Sequence, residues 1–201
     1  MIYFFDFDGT VVDVWKRYYS VFVEAGKLSN VGFDQYKITK KALIKDVEVA
    51  KAFGQSLNND YFENKAKLLE EKRYLDMDSL IVSPLELIDF FRSHNCFFLT
   101  KRRNPANFLY QINKLGLGEI ANKTIVINPD QHTSKYDYFV RNKYDNFVIV
   151  GDSSEELEAA NIENANVVLV ETGLFQVSSF YTKKRKNCRV IDNLNTFLKE
   201  N

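Results

Sequence analysis

Apolar residues in this chain gather into short continuous runs instead of alternating with polar ones. Five runs stand out: Ile2-Tyr3-Phe4-Phe5, Cys96-Phe97-Phe98-Leu99, Thr124-Ile125-Val126-Ile127, Phe147-Val148-Ile149-Val150 and Val167-Val168-Leu169-Val170. A run without alternation fits a strand covered on both faces, as in a parallel sheet. Between the later runs the apolar spacing turns helical. Asn104-Pro105 offers a cap and a first-turn proline to a helix carrying Phe108, Leu109, Ile112 and Leu115 and ending at Gly116. Another helix follows Asp152, with Leu157, Ala160 and Ile162 able to face a sheet. This alternation predicts an α/β fold: a doubly wound, mostly parallel, Rossmann-like sheet.

The first two runs are separated by residues 6–95, too many for one crossover. Three helical patterns fill that stretch, near Val14–Lys27, Asp34–Ala52 and Tyr61–Tyr74. A fourth helix is signalled by Ser83-Pro84-Leu85-Glu86, a capping box with proline at its first position. The pattern divides the chain into an α/β core formed by residues 1–13 and 81–201, interrupted by a helical insertion at 14–80.

Composition narrows the class. The 201 residues include 27 Lys+Arg against 27 Asp+Glu, which gives no general attraction to nucleic acid or a membrane surface. One short basic run in a late loop, Lys183-Lys184-Arg185-Lys186, is a weak signal for nucleic acid. With 17 Phe and 11 Tyr the chain is not a disordered polypeptide. Two cysteines and two histidines cannot build a disulfide framework or a His/Cys metal centre. The start Met1-Ile2-Tyr3-Phe4-Phe5-Asp6 lacks a basic leader, and no apolar run approaches the ~18 residues of a membrane span. A soluble, cytoplasmic protein without membrane or nucleic-acid partners is expected, with its oligomeric state unreadable.

The polar residues just past the apolar runs carry the chemistry. The first run ends in Asp6-Phe7-Asp8-Gly9-Thr10, the second in Thr100, the fourth in Gly151-Asp152-Ser153. Ligands of open α/β sheets bind outside the carboxyl ends of the strands. Three such ends bearing Asp6 and Asp8, Thr100 and Asp152 therefore converge on one edge. Clustered carboxylates repel one another unless a cation joins them. Mg2+ takes hard oxygen ligands together with substrate phosphate. The cluster thus points to Mg2+ and a phosphorylated substrate, against the alternative that each Asp merely ends a strand and starts a turn.

These residues also carry a resemblance. Asp6-Phe7-Asp8-Gly9-Thr10 resembles the first motif, DxDGT, of the haloacid dehalogenase superfamily in its phosphatase form. Thr100 resembles the second motif. Lys135, sixteen positions before Gly151, has the spacing of the third-motif lysine, with Lys123 and Lys143 as nearby alternatives. Gly151-Asp152-Ser153-Ser154-Glu155-Glu156 with Ala159-Ala160 resembles the fourth motif, and Val170-Glu171-Thr172-Gly173 the turn after the next strand. The resemblance implies a Mg2+-dependent phosphatase acting on a small phosphorylated metabolite. Asp6 would be the nucleophile, forming an aspartyl-phosphate, and Asp8 the general acid/base. Asp6, the Asp8 backbone carbonyl and Asp152 would hold Mg2+. Thr100 and Lys135 would bind phosphoryl oxygens. The insertion would be the family's cap.

Two departures qualify that picture. Glu156 stands where the family usually has Asp, so Glu156 and Ser153 support the metal site from outside or simply form an S-x-x-E capping box. Lys101-Arg102-Arg103 stands after Thr100 where the family has small or amide residues; Lys101 is counted with the phosphate ligands, and the run either holds an anionic substrate or is a solvated loop. In the insertion, Lys37, Lys41 and Lys45 recur at four-residue spacing, as a solvated face or, with Lys40, as a contact for a substrate tail. Tyr18, Tyr19 and Phe22 are expected to be core between insertion helices. The rival functions are a phosphotransferase or mutase of the same family and, from a different class, a non-catalytic or signalling phospho-acceptor protein.

Overall fold

A computed structural model describes residues 1–43, 45–131, 133–176 and 187–201. The five apolar runs form strands β1 (Ile2–Phe5), β4 (Asn95–Lys101), β5 (Thr124–Ile127), β6 (Phe147–Gly151) and β7 (Ala165–Val170). A further strand, β8 (Cys188–Ile191), escaped the apolar-run criterion because Arg189 interrupts it at an edge of the sheet. All six are parallel, in the order β5-β4-β1-β6-β7-β8. The chain runs outward from β1 to one side and then returns to build the other, so the topological switch lies at β1.

The continuity of the runs is explained by burial on both faces. Tyr3 and Phe5 enter one apolar cluster with Phe90, Phe91, Phe98, Val148, Val150 and Phe197. Phe4, pointing the other way, packs with Leu99, Phe139, Phe147 and Ile149. Helices α6 (Pro84–Ser93) and Leu194–Glu200 lie against the first face, and α8 (Lys135–Asn142) and α9 (Ser154–Ala159) cover the second. Helix α7 (Pro105–Lys114) starts as expected, with the Asn104 side chain accepting from the Asn107 N–H. The box predicted at Ser83 is not formed: Pro84 opens α6, but the Ser83 side chain makes no capping bond.

Two short strands, β2 (Val12–Asp13) and β3 (Ser79–Leu80), pair antiparallel at the mouth of the insertion. Between them lie α1 (Trp15–Gly26), α2 (Phe33–Ala42), α3 (Asp46–Ala52), α4 (Tyr61–Leu68) and α5 (Lys72–Leu75). The helix expected over Asp34–Ala52 is two helices, because Leu43 and Lys45 are extended. The break sets Asp46 at the start of α3, where its buried carboxylate meets Lys40 at 2.7 Å, the Tyr61 hydroxyl at 2.7 Å and Lys65. Burial opposes that charge, but Lys65 and Lys40 outweigh it and hold Asp46 at about 2. The Tyr61–Tyr74 pattern likewise splits at residues 69–71. Among the described residues no helix is long and apolar enough to cross a membrane.

Candidate active site at the switch point

The register of the three central strands fixes which side chains meet. Phe5 pairs with Phe98 on one side and Val150 on the other. Asp6 comes directly after, while Thr100 and Asp152 lie two residues beyond those partners. The Asp6 N–H still donates to the Val150 carbonyl at 2.8 Å, so the nucleophile candidate is tethered to the sheet. After it the chain turns tightly, with Val11 and Val12 N–H both donating to the Phe7 carbonyl.

Gly9 is required there twice over. Its φ is +78°, and a Cβ would lie 2.5 Å from Asp152 Oδ2. Gly173, in the loop after β7, is as close: a Cβ would sit 1.7 Å from the same oxygen. The two loops are tied by a 2.5 Å bond from the Thr172 hydroxyl to the Gly9 carbonyl. Asp152 therefore lies in a cradle shaped by two glycines.

Carboxylate oxygens of Asp6, Asp152 and Glu156 lie within 4.8 Å of one another. Lys135, at the start of α8, reaches into the group and places Nζ 2.6 Å from both Asp6 Oδ1 and Glu156 Oε1. Burial pushes Asp6 up to about 6, an effect that Lys135 only partly offsets. Asp152 is driven well above the usual carboxylate range by burial and by the Asp6 and Glu156 charges. Burial also works against Glu156, but Lys135 and Ser153 keep it below its ordinary value. One ammonium thus faces a cluster of three carboxylates, of which Asp152 and Glu156 are buried and Asp6 partly so. An all-oxygen donor set with excess negative charge fits a hard divalent cation such as Mg2+.

Asp8 is held differently. Burial opposes its charge, but Arg102 and Arg17 overcome that and keep it below the ordinary range. Arg17 Nη2 lies 2.7 Å and Arg102 Nη2 2.6 Å from the same oxygen, Oδ1. Behind them Asp78 accepts from Arg17 Nε at 3.2 Å and from Gln111 at 2.6 Å, and Gln111 accepts from Arg102 at 3.0 Å. Burial, against the pull of Arg17, places Asp78 at about 7.

The residues singled out from sequence separate clearly. Asp6, Asp8, Thr100, Lys101, Lys135, Asp152 and Ser153 line one cavity of about 180 Å³. Glu156 lies beneath it, 1% exposed, and does form the capping box with Ser153 while also holding Lys135. Lys101 pairs with Glu155 at 2.8 Å. Its two neighbours do not reach the cavity: Arg102 turns to Asp8, and Arg103 pairs with Asp130 on the outer surface. Tyr19 and Phe22 pack against Tyr36 as core, but Tyr18 faces the cavity. The lysine stripe is broken: Lys37 and Lys41 lie over the Trp15 ring outside the cavity, Lys45 sits in the extended break, and Lys40 is buried against Asp46. Lys183-Lys184-Arg185-Lys186 and His132 lie outside the described residues.

Arg17, Asp78 and Gln111 were not anticipated. The available signal was Arg17 itself, a charge at four-residue spacing with Val21 and Ala25 on the buried face of α1.

Neither a protein-family model nor a curated protein matches the sequence. Solved structures do match, over nearly the whole chain. One, from Clostridium acetobutylicum, is described as a predicted phosphatase; it aligns with TM-score 0.68 at 12% identity, covering 99% of this chain and 96% of that one. A haloacid dehalogenase-like hydrolase from Streptococcus pneumoniae aligns with TM-score 0.68 at 13% identity, covering 100% and 98%. The protein tyrosine kinase A of Mycobacterium tuberculosis aligns with TM-score 0.64 at 16% identity, covering 99% and 96%. The chain therefore has the haloacid dehalogenase-like fold. Activity must be argued from the site, because one fold hosts several chemistries.

Proposed function

We propose that this protein is a Mg2+-dependent phosphatase that hydrolyses a small phosphorylated metabolite through an aspartyl-phosphate on Asp6. The observation carrying the proposal is the meeting of Asp6, Thr100 and Asp152 at three adjacent strand ends, with Lys135 bridging Asp6 and Glu156. Asp6, Asp152 and the backbone carbonyl of Asp8 would hold Mg2+, with Glu156 and Ser153 supporting them from behind. When bound, the cation would neutralise charge on the phosphoryl oxygens and favour ionised carboxylates.

The remaining chemistry belongs to the chain's own residues. A carboxylate oxygen of Asp6 forms a bond to phosphorus as the bond to the leaving oxygen breaks. Asp8, two residues on and lining the same cavity, gives that oxygen a proton that it carries against the pull of Arg102 and Arg17. In the second half Asp8 takes a proton from water, which attacks phosphorus and releases the Asp6 carboxylate. Thr100 and Lys135 donate to phosphoryl oxygens, with Lys101 at the rim; such electrostatic positioning is where phosphoryl transfer gains most. A cavity of about 180 Å³ is below the ~300–1,000 Å³ of sites for drug-sized ligands, which favours a small substrate.

The test is phosphate release from a panel of small phosphorylated metabolites with Mg2+, using Asp6→Asn as the blank. Rapid acid quenching with labelled substrate should trap phosphorylated protein in the wild type and none in Asp6→Asn. Hydrolysis that survives in Asp6→Asn overturns the mechanism. Substrate loss without matching phosphate release would instead indicate transfer to another acceptor.

A further inference from the structure

Asp8 belongs to a closed ring of buried polar side chains that no metal or phosphate contact requires. The ring runs from Asp8 to Arg17, to Asp78, to Gln111, to Arg102 and back to Asp8. Arg17 is 0% exposed, Gln111 1%, Arg102 3% and Asp78 8%. With both aspartates ionised, their charges balance those of the two arginines, and Asp78, at about 7, sets where that balance is reached. Removing any one charge would leave another uncompensated.

Its members come from separate parts of the fold. Arg17 stands on α1 in the insertion and also donates to the Leu69 carbonyl, at the end of α4. Asp78 immediately precedes β3, at the return from the insertion. Arg102 follows β4 and Gln111 lies on α7, both in the core. Arg102 Nε is buried without a hydrogen-bond partner, so its guanidinium is held by Asp8, Gln111 and the face of Phe108.

We propose that this ring, through Arg17, is a positioning device for Asp8 that is complete only when the insertion is seated on the core. Both guanidiniums make their closest approach to Oδ1, Arg102 through a hydrogen bond and Arg17 as an ion pair, which leaves Oδ2 as the oxygen for proton transfer. Unseating α1 removes Arg17 from Oδ1 and leaves Arg102 as the one cation still orienting the carboxylate. Leaving-group protonation is thereby coupled to closure over the substrate. The proposal rests on the phosphatase reading, because it assigns Asp8 the proton given to the leaving oxygen.

The experiment compares two small probes, propyl phosphate and acetyl phosphate, in the wild type, Arg17→Lys and Asp78→Asn. Propoxide needs a proton to depart and acetate does not. The quantity read is kcat/KM, which spans the steps up to departure of the leaving group, so the shared hydrolysis of the phosphoenzyme cancels. General acids contribute typically 10²–10⁴-fold, so misplacing Asp8 should lower the propyl-to-acetyl ratio of kcat/KM by at least about tenfold in both variants. Parallel losses on both probes, or an unchanged ratio, would overturn the proposal and leave the ring a structural element. Asp78→Asn keeps the shape of the side chain and does not touch Asp8, so it carries the test if thermal melting shows that Arg17→Lys does not fold. If the wild type with Mg2+ releases phosphate from neither probe and from no member of the metabolite panel, the phosphatase reading itself falls, an outcome distinct from failure of the ring.

Discussion

The candidate nucleophile should weaken the fold that presents it, by an amount the site allows one to work out. Asp6 is raised to about 6 from an ordinary 3.8, with burial as the main cause. At 1.36 kcal/mol per unit, holding it ionised costs about 3 kcal/mol of folding stability. The sign follows from proton binding. A carboxyl raised in the folded state binds more protons there than in the unfolded chain, so its contribution is complete below about pH 4 and lost as pH rises to about 6. Asp6→Asn keeps the shape but has no proton to lose. In EDTA, the stability of Asp6→Asn relative to wild type should therefore climb by about 3 kcal/mol between pH 4 and pH 7. The contribution of Asp78 is shared and largely cancels in the difference, whereas Asp152, raised in part by the Asp6 charge, is raised less in the variant and adds to the climb in the same direction. For a chain of this size that is roughly 6–12 °C in Tm. The assay is urea unfolding at several pH values, repeated with Mg2+, which should stabilise the wild type at neutral pH far more than the variant. A difference that is flat or falls from pH 4 to pH 7 would refute the account of Asp6 as a buried carboxyl under-compensated by Lys135.

Three further outcomes are expected from the geometry. Gly173→Ala puts a methyl group 1.7 Å from Asp152 Oδ2, so the carboxylate must move; Mg2+ affinity by calorimetry and phosphate release should each fall about a hundredfold, the cost of an ~1 Å misplacement. Lys101→Ala removes a rim cation now paired with Glu155 and should raise KM several-fold while kcat changes little in steady-state assays. Phe4→Ala opens a void between β1 and α8, where Phe4 meets Phe139 at 5.0 Å between ring centroids, and should cost about 3–5 kcal/mol in urea unfolding.

The fold was legible where the hydrophobic pattern is local and strong. Continuous runs mark strands buried on both faces, and Phe4 and Phe5 show why: they serve opposite cores. Strand β8 was not legible, since Arg189 breaks its pattern at an edge where one flank is solvent. Helix limits in the insertion failed for a related reason. The break before Asp46 is set by Lys40, Lys65 and Tyr61, partners as far as nineteen residues along the chain, and no local window contains them. At the site, the residues at strand ends were readable because topology alone brings them together. The ring behind Asp8 depends on tertiary pairing between side chains remote in sequence, such as Arg17 with Asp78. The cations after Thr100 illustrate the same limit. Adjacent in sequence, Lys101, Arg102 and Arg103 serve three different partners in three directions.

The antiparallel pair β2–β3 has a bearing on how such a molecule could vary. Val12 faces Leu80 and Asp13 faces Ser79, so the chain leaves the core and re-enters it about one strand spacing, ~4.8 Å, away. Topologically, residues 14–78 are the loop of a hairpin. The entropy of closing a loop grows only with the logarithm of its length, so doubling this one would add about 0.6 kcal/mol. The insertion can therefore be lengthened, shortened or exchanged at little thermodynamic penalty to the sheet, while Asp6 and Asp8 stay anchored on the near side of the hairpin. What such an exchange must preserve is a cation at the place of Arg17.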